Sequence, residues 1–215
     1  MKKTLSWLFA AVFVLVGLQT QAQSFTGGLL AGVVTSQVNG DGYGGFHQLG
    51  WTAGVFGRIP SDTPSSFQME LKYSLFGAHS DAKEVELGMN PMSIRLHYVE
   101  LPLLWHYRLS ELNINGVSFD RLSLEIGLSA DFLIKGQQSA NNEDLFDNDS
   151  WLFFSVTGNA GAQFDITERL GVNLRVMHSL TPCRINPKVA LFSFQHYYNF
   201  VLQATLVYTI LPSRR

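Results

Sequence analysis

Charge is scarce in this chain of 215 residues. Asp, Glu, Lys and Arg make up 15% of it, where an ordinary soluble domain carries about 25%. The few charges nearly cancel, at a formal −2 with a pI near 6.3, so nothing points to nucleic acid as a partner. There is a single cysteine, Cys183, which excludes an intramolecular disulfide framework and a Cys-rich zinc module. Beyond residue 22 no stretch approaches about 18 uninterrupted apolar residues, so a transmembrane helix is excluded there. Apolar and aromatic residues are plentiful: 16 Phe, 7 Tyr and 4 Trp, with 19 Gly and a mean hydropathy of +0.09. A disordered chain has the opposite composition. Scarce charge on an ordered chain implies either a very large core or a surface that does not face water.

The first 22 residues are read as a secretory leader. Lys2 and Lys3 form a basic start, and Leu5 to Leu18 is a 14-residue, mostly apolar stretch without a charge. Gln19-Thr20-Gln21-Ala22 follows, with small residues at the −3 and −1 positions of a cleavage site after Ala22. The stretch is shorter than the ~20 residues a membrane-spanning helix needs. Removing 22 of the 215 residues leaves 193, the expected barrel domain 23–215.

That remaining chain alternates with period two, the mark of strands with two unlike faces. One face of the last strand reads Tyr198, Phe200, Leu202, Ala204, Leu206, Tyr208, Ile210. Its other face includes Asn199, Gln203, Thr205 and Thr209. From Leu122, the residues Leu124, Ile126, Leu128, Ala130, Phe132 and Ile134 oppose Ser123, Glu125, Gly127, Ser129, Asp131, Leu133 and Lys135. Phe67, Met69, Leu71, Tyr73 and Leu75 likewise oppose Gln68, Glu70, Lys72, Ser74 and Phe76. Eight such strands are predicted, near 25–36, 48–58, 66–76, 94–108, 121–134, 151–164, 170–180 and 196–210. Most exceed the 3–10 residues usual in soluble proteins and suit a tilted membrane strand.

Alternation alone leaves two barrels open: a soluble, lipocalin-like one with apolar faces inside, and a membrane one with them outside. Three details favour the membrane barrel. The polar face is rich in Gly, Ser, Thr, Asn and Gln, with charges of both signs at Glu70, Lys72, Glu125, Asp131, Lys135 and Arg175. Such side chains fill the narrow lumen of eight strands. Trp51, Tyr73, Trp105, Tyr107, Tyr198 and Tyr208 are expected in aromatic girdles. Ten residues between Tyr198 and Tyr208, at ~3.3 Å each and tilted ~40°, rise about 25 Å, the height of the apolar band. Finally, the connections 37–47, 77–93, 135–150 and 181–195 are long and polar, whereas 59–65, 109–120 and 165–169 are shorter. Pro102 removes a ladder donor, so a bulge is expected there. The predicted fold is an all-β, eight-stranded antiparallel up-and-down transmembrane barrel.

The motifs carry a family resemblance. Leu30-Ala-Gly-Val-Val-Thr-Ser36, Gly50-Trp-Thr-Ala-Gly-Val-Phe-Gly57 and Met69-Glu-Leu-Lys-Tyr-Ser-Leu-Phe-Gly77 follow in order, then Leu96-His-Tyr-Val-Glu-Leu-Pro-Leu-Leu-Trp-His-Tyr107 with Arg108 behind it. Leu124-Glu-Ile-Gly-Leu128 and Gly158-Asn-Ala-Gly-Ala162 complete the series. In this order the chain resembles the PorT-like outer-membrane β-barrel family of Bacteroidetes. The resemblance implies an outer-membrane location and an eight-stranded barrel. The founding member takes part in protein secretion, so a role in secretion or envelope organisation is what it suggests.

Candidate chemistry is thin. His97, Glu100 and His106 share one strand, which raises a lipid-modifying enzyme built on Ser, His and acid. No serine stands in a nucleophile motif, and spacings of three and nine mix the strand faces unless a bulge intervenes. His47, His79, His178 and His196 have no metal-ligand spacing. Glu143, Asp144, Asp147 and Asp149, with Asn141, Asn142 and Asn148, read as a solvated acidic loop, with calcium binding as the alternative although the EF-hand spacing and its glycine are absent. Cys183 reads as a passive thiol, with reactivity or pairing to another chain as the alternative. The expectation is a monomeric, non-enzymatic protein without cofactor, catalytic residues or metal. Its partners would be outer-membrane lipid, the barrel assembly machinery, and secretion or envelope proteins.

Overall fold

The computed structural model describes residues 25–39, 48–61, 63–79, 92–110, 112–114, 117–140, 143–144, 151–184 and 197–211. The expected leader and most of the acidic loop, including Asn141, Asn142, Asp147, Asn148 and Asp149, lie outside them, as do His47 and His196.

Eight long strands form: β1 Thr26–Asn39, β2 Gln48–Pro60, β3 Ser65–His79, β4 Met92–Arg108, β5 Leu122–Ala140, β6 Phe154–Asp165, β7 Leu170–Ser179 and β8 Tyr198–Leu211. Each pairs antiparallel with the next, and β1 pairs with β8 to close the ring. Closure gives every barrel strand two neighbours, which removes the edge problem of an open sheet.

The connections at the end bearing the termini, here called the base, are held by local hydrogen bonds. In the β6–β7 turn the Thr167 hydroxyl accepts from the amides of Arg169 and Leu170, at 3.2 and 3.0 Å. The β4–β5 connection carries a two-residue ladder, Asn113–Ile114 against Val117–Ser118. At the opposite end, the rim, Glu143–Asp144 extends β5 as a short ladder on Ser139 and Ala140.

The faces divide as a membrane barrel requires. Met69, Leu103, Ile126, Leu174 and Leu206 point outward and are each more than half exposed. Gln68, Glu70, Lys72, Ser123, Glu125, Asn159, Asn173 and Gln203 point inward and are buried. So continuous an apolar exterior does not occur on a soluble monomer, and the polar interior excludes the lipocalin-like alternative.

The bulge expected at Pro102 is absent. Met69 pairs with Leu103 and Lys72 with Glu100, the same register on both sides of the proline. The missing donor is absorbed as a gap in the β3–β4 ladder, with β5 still paired at Ser129. Instead the irregularity lies between β4 and β5, where His97 pairs with Lys135 but Tyr98 with Leu133. Ile134 is the extra residue, and it reverses the parity of everything beyond it. Lys135, expected in the lumen, is therefore exposed on the outside.

Candidate functional site

The lumen is the place to look for chemistry, and it is layered. Near its middle, Arg175 of β7 reaches two carboxylates from other strands. Its Nη1 and Nη2 donate to the two oxygens of Glu70 on β3, each at 2.8 Å. Its Nε donates to Glu125 Oε1 on β5 at 2.6 Å, and Nη2 reaches Glu125 Oε2 at 3.3 Å. All three side chains are sealed from solvent. A planar guanidinium is the group that can satisfy two carboxylates at once. His106 Nε2 stands 3.4 Å from Glu125 Oε2, and Gln68 donates to Glu70 Oε1 at 2.7 Å.

Gly161 explains how Arg175 and Glu125 meet. It pairs with Arg175 on one side and Glu125 on the other. A Cβ there would stand 2.7 Å from Glu125 Oε1 and 2.5 Å from the Leu174 carbonyl oxygen. The missing side chain is the space through which the ion pair forms across β6.

A second layer lies towards the rim. Lys72 Nζ is 3.2 Å from Glu100 Oε2 and donates to Gln203 Oε1 at 2.7 Å. Asp131, the Cα partner of Glu100, accepts from the Thr157 hydroxyl. Thr52 and Ser74 hydroxyls are 2.7 Å apart.

The polar column is capped by apolar side chains at the rim and is mixed at the base. At the rim, Val34, Phe76, Ile94, Leu96, Tyr98, Met177 and Val201 close in with Trp151 and Cys183 from the connections. Arg184 lies over Trp151 and Tyr197, 5.2 Å from each ring centre, and donates to Gln138 Oε1 at 3.2 Å. At the base, Leu30, Phe56 and Val207 form a smaller cluster. Arg58 beside it donates to Gln68 Oε1 at 2.7 Å and Gln163 Oε1 at 2.9 Å.

A closed ring of eight strands, lipid-compatible outside and filled with polar side chains inside, is one architecture. A family model described as an outer membrane protein beta-barrel domain matches residues 19–183. The chain belongs to that family. Membership places this outer-membrane barrel in the bacterial envelope. No curated protein sequence matches it. Among solved structures it is similar to Ail, the attachment invasion locus protein of Yersinia pestis. The two share 13% identity over 87% of this chain and 99% of that one, with a TM-score of 0.51, a likeness of fold alone. Neisserial surface protein A aligns over 86% of this chain and 96% of its own, at 8% identity and a TM-score of 0.48.

The outward aromatics of the outer-membrane barrel fall at two levels. Trp51 and Tyr73 lie 5.2 Å apart between ring centres in the rim half, and Tyr198 stacks on His178 at 6.3 Å. Trp105 and Tyr107, 5.9 Å apart, lie towards the base, as does Tyr208, which pairs with Leu170 beside the β6–β7 turn.

Of the lumen charges read from sequence, Glu70, Lys72, Glu125, Asp131 and Arg175 come together inside and Lys135 does not. The histidines of β4 separate. His106 and Glu100 face the lumen, whereas His97 faces outward with its Nδ1 hydrogen-bonded to Tyr73 Oη at 2.6 Å. No hydrogen bond joins His106 to any serine among the described residues. His178 is outward as well, beside Tyr198 and Phe200. Cys183 is buried, its thiol donating to the Tyr197 carbonyl at 3.3 Å. Among the described residues no group of three His, Cys, Asp or Glu is placed to hold a metal.

Arg58, which is not among the expected lumen charges, continues the inward parity of Thr52 and Phe56, so the alternation of β2 already carries its signal. Gly161 and the Trp151–Arg184 cap had no sequence signal, because each depends on which strands or connections become neighbours.

Proposed function

We propose that this barrel is a non-enzymatic accessory of protein secretion or envelope organisation, of the PorT-like kind found in Bacteroidetes. It acts through its rim connections and its base, not through its lumen. The observation that carries this is the filling of the lumen. Ion pairs occupy its middle, an apolar cluster closes on them at the rim, and Leu30, Phe56 and Val207 together with the Arg58–Gln68–Gln163 hydrogen bonds fill the base. Eight strands leave room for side chains and little else, so recognition falls to surfaces outside the ring. His97 and Glu100 on opposite faces of β4 favour this reading over a lipid-modifying enzyme. Ring closure leaves no strand edge to recruit a second copy, which favours a monomer.

The reading includes export with cleavage after Ala22, insertion by the barrel assembly machinery, and contact with secretion or envelope proteins. A clean deletion strain tests it. The expected result is an altered set of secreted proteins or a leaky envelope, with lipid A unchanged. A deletion that changes only the lipid A mass spectrum, reproduced by His106→Ala, overturns it in favour of an enzyme.

A further inference from the structure

The bulge between β4 and β5 makes a feature that the lumen does not use. It carries Lys135 out of the barrel and sets it beside His97, its Cα partner, on the lipid-facing side. Arg95, two residues along β4 on the same outward face, is also exposed. Both cations lie within electrostatic reach of His97. Among the described residues no carboxylate forms an ion pair with Arg95 or Lys135. His97 is held by Tyr73, whose ring packs on Trp51. Below them the same surface is purely apolar, with Leu101, Leu103 and Ile134 exposed.

Height identifies what this cluster meets. Arg95 and Trp105 lie on one face of β4, ten positions apart. At ~3.3 Å per residue and a tilt of ~40°, that separation rises about 25 Å, the full height of the apolar band. Trp105 marks the band's lower border near the base, so Arg95 sits at its upper border. Long side chains there place their charges at headgroup level. Phosphate is the headgroup component that an arginine fork and a lysine bind together. A β-bulge that re-aims one side chain is a recognised device for building such a site.

We infer that Arg95, Lys135 and His97 on the outer face of β4–β5 form a binding site for the phosphate of an anionic outer-leaflet lipid. The inference rests on the rim facing outward, with the long connections, but not on any role in secretion.

The test uses the folded barrel in a neutral detergent, with bisphosphorylated lipid A as probe and binding read by native mass spectrometry. Dephosphorylated lipid A and inorganic phosphate are run beside it. Wild type is expected to bind the phosphorylated lipid at least tenfold more tightly than the dephosphorylated one. Millimolar inorganic phosphate should not compete. Arg95→Gln/Lys135→Gln should lose that preference while keeping its heat-modifiable gel shift, and Arg169→Gln, an exposed charge at the base, should retain it. Equal binding of both lipids by wild type overturns the inference without recourse to any variant. So does an undiminished preference in the double variant. Competition by inorganic phosphate also overturns it, because the site would then be one for the free ion. A deletion strain with normal secretion would leave these outcomes untouched.

Discussion

Removing the cation from the lumen should unfold the barrel more readily than removing cation and anions together. Arg175→Met keeps the unbranched stem of the side chain and deletes its four hydrogen bonds to Glu70 and Glu125. Those carboxylates are almost wholly buried, so they cannot turn to water for compensation. Breaking a buried pair by removing one partner costs about 3–5 kcal/mol, because an uncompensated charge stays behind. With a urea slope of about 2 kcal/mol per molar, the unfolding midpoint should fall by about 1.5–2.5 M. The triple variant Arg175→Met/Glu70→Gln/Glu125→Gln removes the stranded charges. It should lie within about 1 kcal/mol of wild type, since neutral replacement of a buried ion cluster is close to break-even. The assay is urea unfolding of the barrel refolded in lipid vesicles, followed by tryptophan emission and by the gel shift on heating. A single variant within about 0.5 kcal/mol of wild type would mean that water reaches the carboxylates and the lumen is not sealed. A triple variant as unstable as the single one would mean that Arg175 acts through packing instead of charge.

Three further outcomes follow from the same geometry. Gly161→Ala should cost about 1–3 kcal/mol, as overpacking does, and the loss should shrink in an Arg175→Met background because both disturb one contact; a double-mutant cycle in urea measures this coupling. Lys135→Ala should shift stability by less than about 0.5 kcal/mol, as an exposed substitution does, whereas Lys72→Ala should cost about 3 kcal/mol or more by stranding Glu100; melting the two side by side checks which face each lysine occupies. Purified protein in a planar bilayer should show no stepwise ion current, and regular conductance steps would refute the filled lumen.

The barrel was readable because period two survives any neighbour: each strand carries its own inside and outside, whichever strands flank it. All eight strands therefore lie where alternation put them, with ends displaced by a few residues where the ladder runs past the alternating core, as at Gln137 to Ala140 of β5. Parity failed where a register changed. The face of β5 that begins at Ser123 and Glu125 could be extended to Lys135 only by assuming uninterrupted pairing. One extra residue at Ile134 sends Lys135 outward. Pro102 misled in the opposite direction, for a missing donor need not shift a register when the strand on its other side remains paired.

Phe76 shows why the lumen was harder to read than the wall. It falls on the polar face of β3, in line with Glu70, Lys72 and Ser74, and looks like an exception to the alternation. In the barrel it packs against Tyr98 at 5.3 Å between ring centres, within the apolar cluster at the rim. The inner face thus has a second pattern along the barrel axis, apolar at the rim, charged in the middle and mixed at the base, which no single strand reveals. That axial pattern gives the ion cluster its strength and its vulnerability. Phe76, Tyr98 and Trp151 keep water from Lys72 and Glu100 on one side, while Leu30 and Phe56 lie on the other side of the Arg175 cluster. Lowering the local dielectric strengthens each pair and raises the cost of every unpaired charge.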